Sequence, residues 1–505
     1  MSQKKRRRLR IGRIGIVVIV VGIVCITWAW NVGRVDGAAQ DRHRNATPAK
    51  EKTDNAISET KTKGFDGVDF SYDVFGVPPG QDPQKTAEDA MAKDIADKPQ
   101  VLSRQKKLLS ERYELDCKTA AGVTMTKGKH QPIGPVVHLK HGLTWDKLGQ
   151  METDEIKADK LFPAGFHRLP HVKHEVGGMV FPQAQTKQFP RLERFDVEFD
   201  LPDCFLPEFP PPIFLTTHPE LGDVSQGEVL HAENFDRLFR GLVTPVQLDG
   251  LRLLVTQFPE EEFNATHDRK TVKPSLGVTC LDCHVNFHTT GQFHQNPDTR
   301  PQLERLRLDT TSIRGMYNQQ IHASKRSLRS VEDFTEFEQR TAYFNGDHVS
   351  ATRKGVNLPD RPNQVAMMAQ MQNMIDFPPA PKLRPDGTLD PAKATPKELA
   401  GEQVFNGKGQ CATCHVPRND FLDDRMHDLK TERFFKSGVV VNDQVVLPDG
   451  PIKTFTLRGI KDSPPYLHDG RLLTLADTVE FFNLVLGTKL SADEKDSLVD
   501  YMLAL

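Results

Sequence analysis

Cys411-Ala412-Thr413-Cys414-His415 reads C-x-x-C-H, and Cys280-Leu281-Asp282-Cys283-His284 repeats it. Two thiols about one helical turn apart can form thioethers with the two vinyl groups on one edge of a porphyrin. The adjoining histidine then lies beneath the ring and coordinates the iron. With 7 Cys and 18 His in 505 residues, roughly 0.003 such motifs are expected by chance, so coincidence does not explain two. A redox dithiol or a zinc pair is the weaker reading, because both copies carry histidine at the next position. These residues predict two c-type haems. Cys280, Cys283, Cys411 and Cys414 are the attachment points, and His284 and His415 are the iron ligands.

The elements that must position them begin with a strongly asymmetric N-terminus. The first thirteen residues hold seven Lys/Arg and no acid, and the remaining 59 basic and 68 acidic residues leave the body at −9. No basic, aromatic-rich surface is apparent, which argues against nucleic-acid binding. The apolar run Ile14–Trp30 carries no charge and ends in Trp28 and Trp30. It is long enough to cross a bilayer with its basic end cytoplasmic. The alternative is a cleaved signal peptide, but the run is long for one and Ala38-Ala39 lies several residues beyond it. Cys25 follows Val24, where a lipoprotein signal needs a small residue. Either way the body is exported, so the expected location is bacterial, anchored in the inner membrane and facing the periplasm. Cys117 and Cys204 could pair in such a compartment or be two buried thiols.

Residues 37–65 are polar and read as a tether. Residues 66–225 carry no motif with evident chemistry. Leu102–Tyr113 has a helical look, and Pro207–Pro212 should be extended and helix-free. Whether the region covers the haems or meets a partner is open. A helix is expected at Pro245–Gln257, ahead of the first haem motif. Residues 377–397 are rich in proline and read as a linker. Glu398–Phe405 then leads into the second motif as a helix, with Gly401 allowing close approach of another. Ser491–Leu505 supplies that partner, capped by Ser491 with Glu494 three residues on. Two helices crossing on either side of C-x-x-C-H form the layout of a cytochrome c domain. The expected fold is mainly α, with two cytochrome c-like haem domains in tandem behind a proline-rich irregular region and an N-terminal membrane anchor. The boundaries are 1–36 anchor, 37–65 tether, 66–225 unassigned, 226–376 first haem domain, 377–397 linker and 398–505 second haem domain.

An internal repeat supports two copies of one unit. Laying 310–338 over 454–482 without a gap matches Arg314 with Arg458, Gly315 with Gly459 and Leu328 with Leu472. It also matches Asp333 with Asp477, Glu336 with Glu480 and Phe337 with Phe481. The offset is 144, against 131 between the two motifs. Each haem motif is therefore followed by a related element.

Residues 454–470 (TFTLRGIKDSPPYLHDG) and 421–428 (FLDDRMHD) resemble segments of the bacterial di-haem cytochrome c peroxidase and MauG superfamily. The resemblance spans roughly 230–505. It implies two α-helical domains, one haem handling peroxide and the other relaying electrons. The peroxidases place a methionine ligand, and MauG a tyrosine, fourteen residues after the histidine of P-Y-x-H-D-G. Here that position is Phe482, which cannot bind iron. His468 is then the nearest candidate for the sixth position, with Tyr466 behind it, or it bonds a propionate instead. Bis-histidine ligation would make a lower-potential relay. His427 is read as supporting the site without binding iron.

The family also carries a tryptophan between its haems, in a segment matching Gln320–Arg326, whereas this chain has none after Trp145. His322 falls where the repeat places the counterpart of His468 if a two-residue insertion is allowed, and could face the first haem. His288 and His294 are further candidates for its distal side. Peroxide cleavage needs a group that accepts and then returns a proton. Glu336 and Glu338 lie where the family's glutamate falls, with Glu332 also nearby. Glu480 corresponds to Glu336 in the other repeat, which points to a salt-bridging role for Glu336 and favours Glu338.

The expected function is thus a haem oxidoreductase that reduces peroxide or uses it to oxidise a substrate. Its redox partner would be a small cytochrome, a cupredoxin or a quinol-linked donor. The rival readings are a plain electron-transfer cytochrome, and a MauG-like or rubber-oxygenase-like enzyme acting on a larger substrate.

Overall fold

The structure is a computed structural model. It describes residues 106–168, 201–256, 279–291, 293–295, 307–338, 361–435, 440–441, 444–445 and 449–505, together with 96, 99, 100 and 103. The basic N-terminus, the apolar run 14–30 and the tether 37–65 lie outside the described residues. Among the described residues no helix is long and apolar enough to cross a membrane.

The described chain is mainly helical. A hairpin of β1 (Thr119–Thr124) and β2 (His130–Pro132) is followed by α1 (Trp145–Gln150), α2 (Thr153–Ala158) and α3 (Phe235–Phe239). Then come α4 (Pro245–Leu254), α5 (Cys280–Cys283), the antiparallel pair β3 (Phe293–Gln295) and β4 (Arg307–Asp309), and α6 (Val331–Phe337). The C-terminal half holds α7 (Arg361–Gln372), α8 (Pro396–Asn406), β5 (Met426–Asp428), β6 (Val440–Val441), β7 (Gln444–Val445), β8 (Pro451–Lys453), α9 (Leu475–Leu486) and α10 (Ala492–Leu503). β5 pairs antiparallel with β8.

Each haem motif is preceded by a helix that meets a later helix through a glycine. α4 starts in a capping box of Thr244 and Gln247 with Pro245 at its first position, a combination worth about 1 kcal/mol. It runs to Leu254 with Val255 as its C-cap, and the expected end, Gln257, lies outside the described residues. It packs on α7 at Gly250, where a Cβ would lie 2.1 Å from the Met367 carbonyl oxygen. α8 and α10 both begin in capping boxes, Thr395 with Glu398 and Ser491 with Glu494. They cross at Gly401, where a Cβ would lie 1.9 Å from the Ser497 carbonyl oxygen.

The 144-residue repeat holds in backbone conformation, position by position. Gly315 and Gly459 have φ of 68° and 67°, and Ala323 and Leu467 have φ of 67° and 66°. His322 bridges Leu328 as Tyr466 bridges Leu472. Ser330 caps α6 by accepting from the Asp333 N–H, and Thr474 caps α9 by accepting from the Asp477 N–H. The counterpart of His322 is therefore Tyr466, and that of His468 is Ser324. The insertion expected from the sequence is absent, because both hairpins close with the same turn.

Two hydrophobic cores result. One gathers Leu238, Phe239, Leu251, Leu281, Phe287, Met368 and Ile375 from α3, α4, α5 and α7 and the segments beside them. The other joins Phe405, Phe481, Leu484 and Tyr501 to Leu109, Tyr113, Phe162, Phe166 and Phe205. Residues 109–166 and Phe205 thus pack on the second unit, whereas Ile213, Leu215 and Val224 join the first core. Phe162 stacks on Phe434 at 4.3 Å, and Phe166 meets Phe481 edge-on at 5.4 Å. Asp477 ties this packing down by accepting from the Val136 and Val137 N–H groups at 2.9 and 3.1 Å. As expected, 207–212 is free of helix.

Two outcomes follow. Gly401→Ala overpacks the α8–α10 crossing, and chemical denaturation should show a loss of about 1–3 kcal/mol. Burial pushes the Asp477 carboxyl up to about 7. The folded state therefore keeps a proton that the unfolded chain releases near pH 4, and stability should fall as pH rises from about 4 to about 7. Asp477→Asn should flatten that slope in a pH series of thermal melts.

Candidate functional site

Two cavities open beside the two motifs. The larger, of about 320 Å³, is lined by Cys411, Cys414 and His415 and, from the repeat element, by Phe455, Tyr466, His468 and Phe482. The smaller, of about 90 Å³, is lined by His284, His322, Ser324, Phe334 and Glu338. Seven residues line both: Asp309, Thr311, Ser312, Gln319, Lys453, Phe455 and His468. The cavities are therefore separated by one shared wall.

That wall is built by exchange between the repeats. The Asp309 N–H donates to the His468 carbonyl at 2.8 Å, and the Lys453 N–H donates to the Ser324 carbonyl at 2.8 Å. Asp309 and Lys453 are repeat counterparts, as are Ser324 and His468, so the two bonds are related by the same 144-residue shift. Each strand that returns from a motif, β4 or β8, seats on the hairpin of the other unit.

The motif histidines are held alike. His284 Nδ1 meets the Thr311 carbonyl at 2.9 Å, and His415 Nδ1 meets the Phe421 carbonyl at 3.1 Å. A carbonyl partner fixes the proton on Nδ1 and leaves the Nε2 lone pair to bind metal. Burial lowers the pKa of His415, which keeps the ring neutral.

His468 is buried, and neither ring nitrogen has a hydrogen-bond partner. Asp449 Oδ1 stands 3.5 Å from Nε2. Burial, together with Arg168, brings the His468 pKa down to about 3. Its hairpin is fixed from behind by Arg471, which is fully buried and reaches Asp449 at 2.5 Å and Asp469 at 2.8 Å. Arg168 also approaches Asp449, at 3.4 Å. Burial alone would raise the Asp449 carboxyl, but Arg471, His468 and Arg168 hold it well below the usual range. Tyr113 donates to the Arg471 carbonyl at 2.9 Å, and Arg471 donates to the Phe166 carbonyl at 3.4 Å. The region 106–168 thus braces the hairpin that carries His468, a role its sequence does not signal.

His322 is buried with Nε2 unpartnered, and burial and Lys453 bring its pKa down to about 4. It shares the smaller cavity with His284 and Glu338, while Glu336 lines neither cavity. Glu480, the repeat counterpart of Glu336, pairs with Lys495 at 2.6 Å. His288 lines the larger cavity instead of the one beside its own motif. Both its nitrogens are engaged, by Ser312 Oγ and the Asp462 carbonyl, each at 2.8 Å. The side chain of His294 lies outside the described residues. His427 lines the larger cavity and meets Asp423 at 2.6 Å. Cys414, Asp423 and His427 offer ligand atoms all within 4.8 Å of one another. Met502 and Met316, one in each cavity lining, were not anticipated, because neither lies at a family position.

The donor set suits iron in a porphyrin. Paired thiols adjoin a histidine in each unit, and a buried histidine with an uncommitted nitrogen lines each cavity.

No family model matches the chain, and no curated protein matches it. Among solved structures, the hydrazine synthase of Kuenenia stuttgartiensis matches with a TM-score of 0.34 at 20% identity, over 55% of this chain and 93% of that one. A MauG-like protein associated with microbial copper homeostasis matches with a TM-score of 0.33 at 16% identity, over 61% and 94%.

Replacing Asp449 by Ala removes the carboxylate that Arg168 and Arg471 share and leaves Arg471 with Asp469. The expected loss is about 3–5 kcal/mol in equilibrium unfolding.

Proposed function

We propose that this chain is a di-haem c-type oxidoreductase of the peroxidase and MauG kind. One haem is attached at Cys280 and Cys283 with His284 on the iron, and the other at Cys411 and Cys414 with His415 on the iron. The observation that carries the reading is that Cys411, Cys414 and His415 line one cavity and His284 of the other C-x-x-C-H motif lines a second, with one wall shared between them. When bound, the haems supply one-electron transfer and, at an iron with an exchangeable sixth position, reduction of peroxide. A wall shared by the two cavities would suit electron relay between haems held there.

The smaller cavity is the peroxide site. Glu338 faces it together with His284 and His322, and accepts a proton from one peroxide oxygen and returns it to the other. The net reaction takes one peroxide, two protons and two electrons to two waters, the electrons coming from a small cytochrome, a cupredoxin or a quinol-linked donor. On the larger side His468 would hold the iron of a haem bound there, on a hairpin that Arg471 fixes through Asp449 and Asp469. The basic N-terminus and the run 14–30 export the body to the periplasmic face of the inner membrane and anchor it there.

A plain electron carrier is the second reading. It is favoured by the unpartnered imidazole nitrogens of two residues, His468 and His322, which would close both sixth positions.

The test uses the matured, full-length protein. Its mass should exceed the chain by two haems, and replacing either cysteine pair by serine should remove one. In EPR, one diferric signal should change when hydrogen peroxide is added, and two low-spin signals that ignore peroxide would overturn the peroxidase reading. Glu338→Gln should lower peroxide turnover by about 10²–10⁴-fold with both haems retained, and His468→Gly should alter the spectrum of the haem at Cys411 and Cys414 alone.

A further inference from the structure

Two thiols outside both cavities face each other across a well-clamped seam. Thr119 pairs with Pro132, so Cys117 lies two residues ahead of the β1–β2 ladder. Cys204 lies in the helical turn Asp203–Phe205, which packs on β2. Between them, Lys129 Nζ donates to the Asp203, Leu206 and Pro207 carbonyls at 2.7, 2.9 and 3.1 Å. The Glu208 carboxylate accepts from the Lys127 N–H at 2.7 Å, and the Glu208 N–H donates to Met125 Sδ at 3.1 Å. These contacts fix the hairpin against a segment some eighty residues away in sequence. At the same seam the two thiols lie near enough to interact, and Cys117 adds to burial in pushing the Cys204 thiol up. Cys117 is exposed and Cys204 is half-buried, so the pair is not the two buried thiols considered from sequence.

We propose that Cys117 and Cys204 form a disulfide that closes this seam. The packing of the Cys204 turn on the hairpin brings the two thiols to one seam, and the Lys129 and Glu208 contacts keep them there. The oxidant is a disulfide of the thiol-exchange class. The exposed Cys117 thiolate attacks it to form a mixed disulfide. Cys204, whose thiol is held protonated by burial, then gives up its proton and displaces the oxidant's second sulfur. One S–S bond forms in the chain and one breaks in the oxidant. Two electrons and two protons leave the chain thiols, and the oxidant departs as a dithiol. The bond closes a long loop and bears no relation to the haem chemistry, so the two proposals fail separately.

The test uses the full chain, exported and haem-matured in a bacterial periplasm, then denatured without reductant in N-ethylmaleimide and digested. The expected product is one peptide pair joined through Cys117 and Cys204, lighter by two hydrogens than its parts. After reduction both residues should take the label. Maleimide on either residue before reduction, or linkage of either to a different cysteine, would overturn the proposal. Reduction should also lower Tm by about 5 °C in the native chain and leave a C117S/C204S double variant unmoved. Equal shifts in both, or none in the native chain, would exclude a stabilising role for the bond.

Discussion

The arrangement depends on a pair of reciprocal backbone hydrogen bonds. Asp309 reaches the hairpin of the second unit, and Lys453 reaches the hairpin of the first. Backbone groups that leave their own ladder must find partners elsewhere when buried, and here each repeat supplies what the other lacks. The exchange is what makes one wall serve two cavities. Moving either strand would displace Lys453, Phe455 and His468 together, since all three line both sides.

Duplication also accounts for what differs between the halves. The turn geometry is shared, down to left-handed backbone at Ala323 and Leu467, but the side chains on it have diverged. Ser324 and His468 occupy one position, as do His322 and Tyr466, and Asp309 and Lys453. Two similar frames thus present different polar groups to the two cavities. The second frame carries the heavier support. Its hairpin is tied by Arg471 to Asp449 and Asp469 and is backed by Tyr113 and Phe166. Such a buried cluster is costly to desolvate and is kept only where its members satisfy one another. That makes it a rigid mount for His468.

The region 106–168 takes its meaning from this mount. Its apolar residues Tyr113, Phe162 and Phe166 complete the second core, and its backbone at Val136 and Val137 is held by Asp477 of α9. It acts as a brace for the second unit.

The sequence by itself determined what depends on short spacing. The C-x-x-C-H motifs, the capping boxes at Thr395 and Ser491, the glycine at 401 and the 144-residue repeat are all local patterns whose chemistry is set within a turn or two of helix. Gly250 was as legible in principle, on a helix that opens with a capping box of Thr244 and Gln247. The tertiary structure decided whatever rests on contacts between distant residues. It paired His322 with Tyr466, directed His288 to the far cavity, left Glu336 outside both and gave 106–168 its role. A side chain's partner across the fold depends on where its backbone is carried by elements hundreds of residues away, and no spacing rule encodes that.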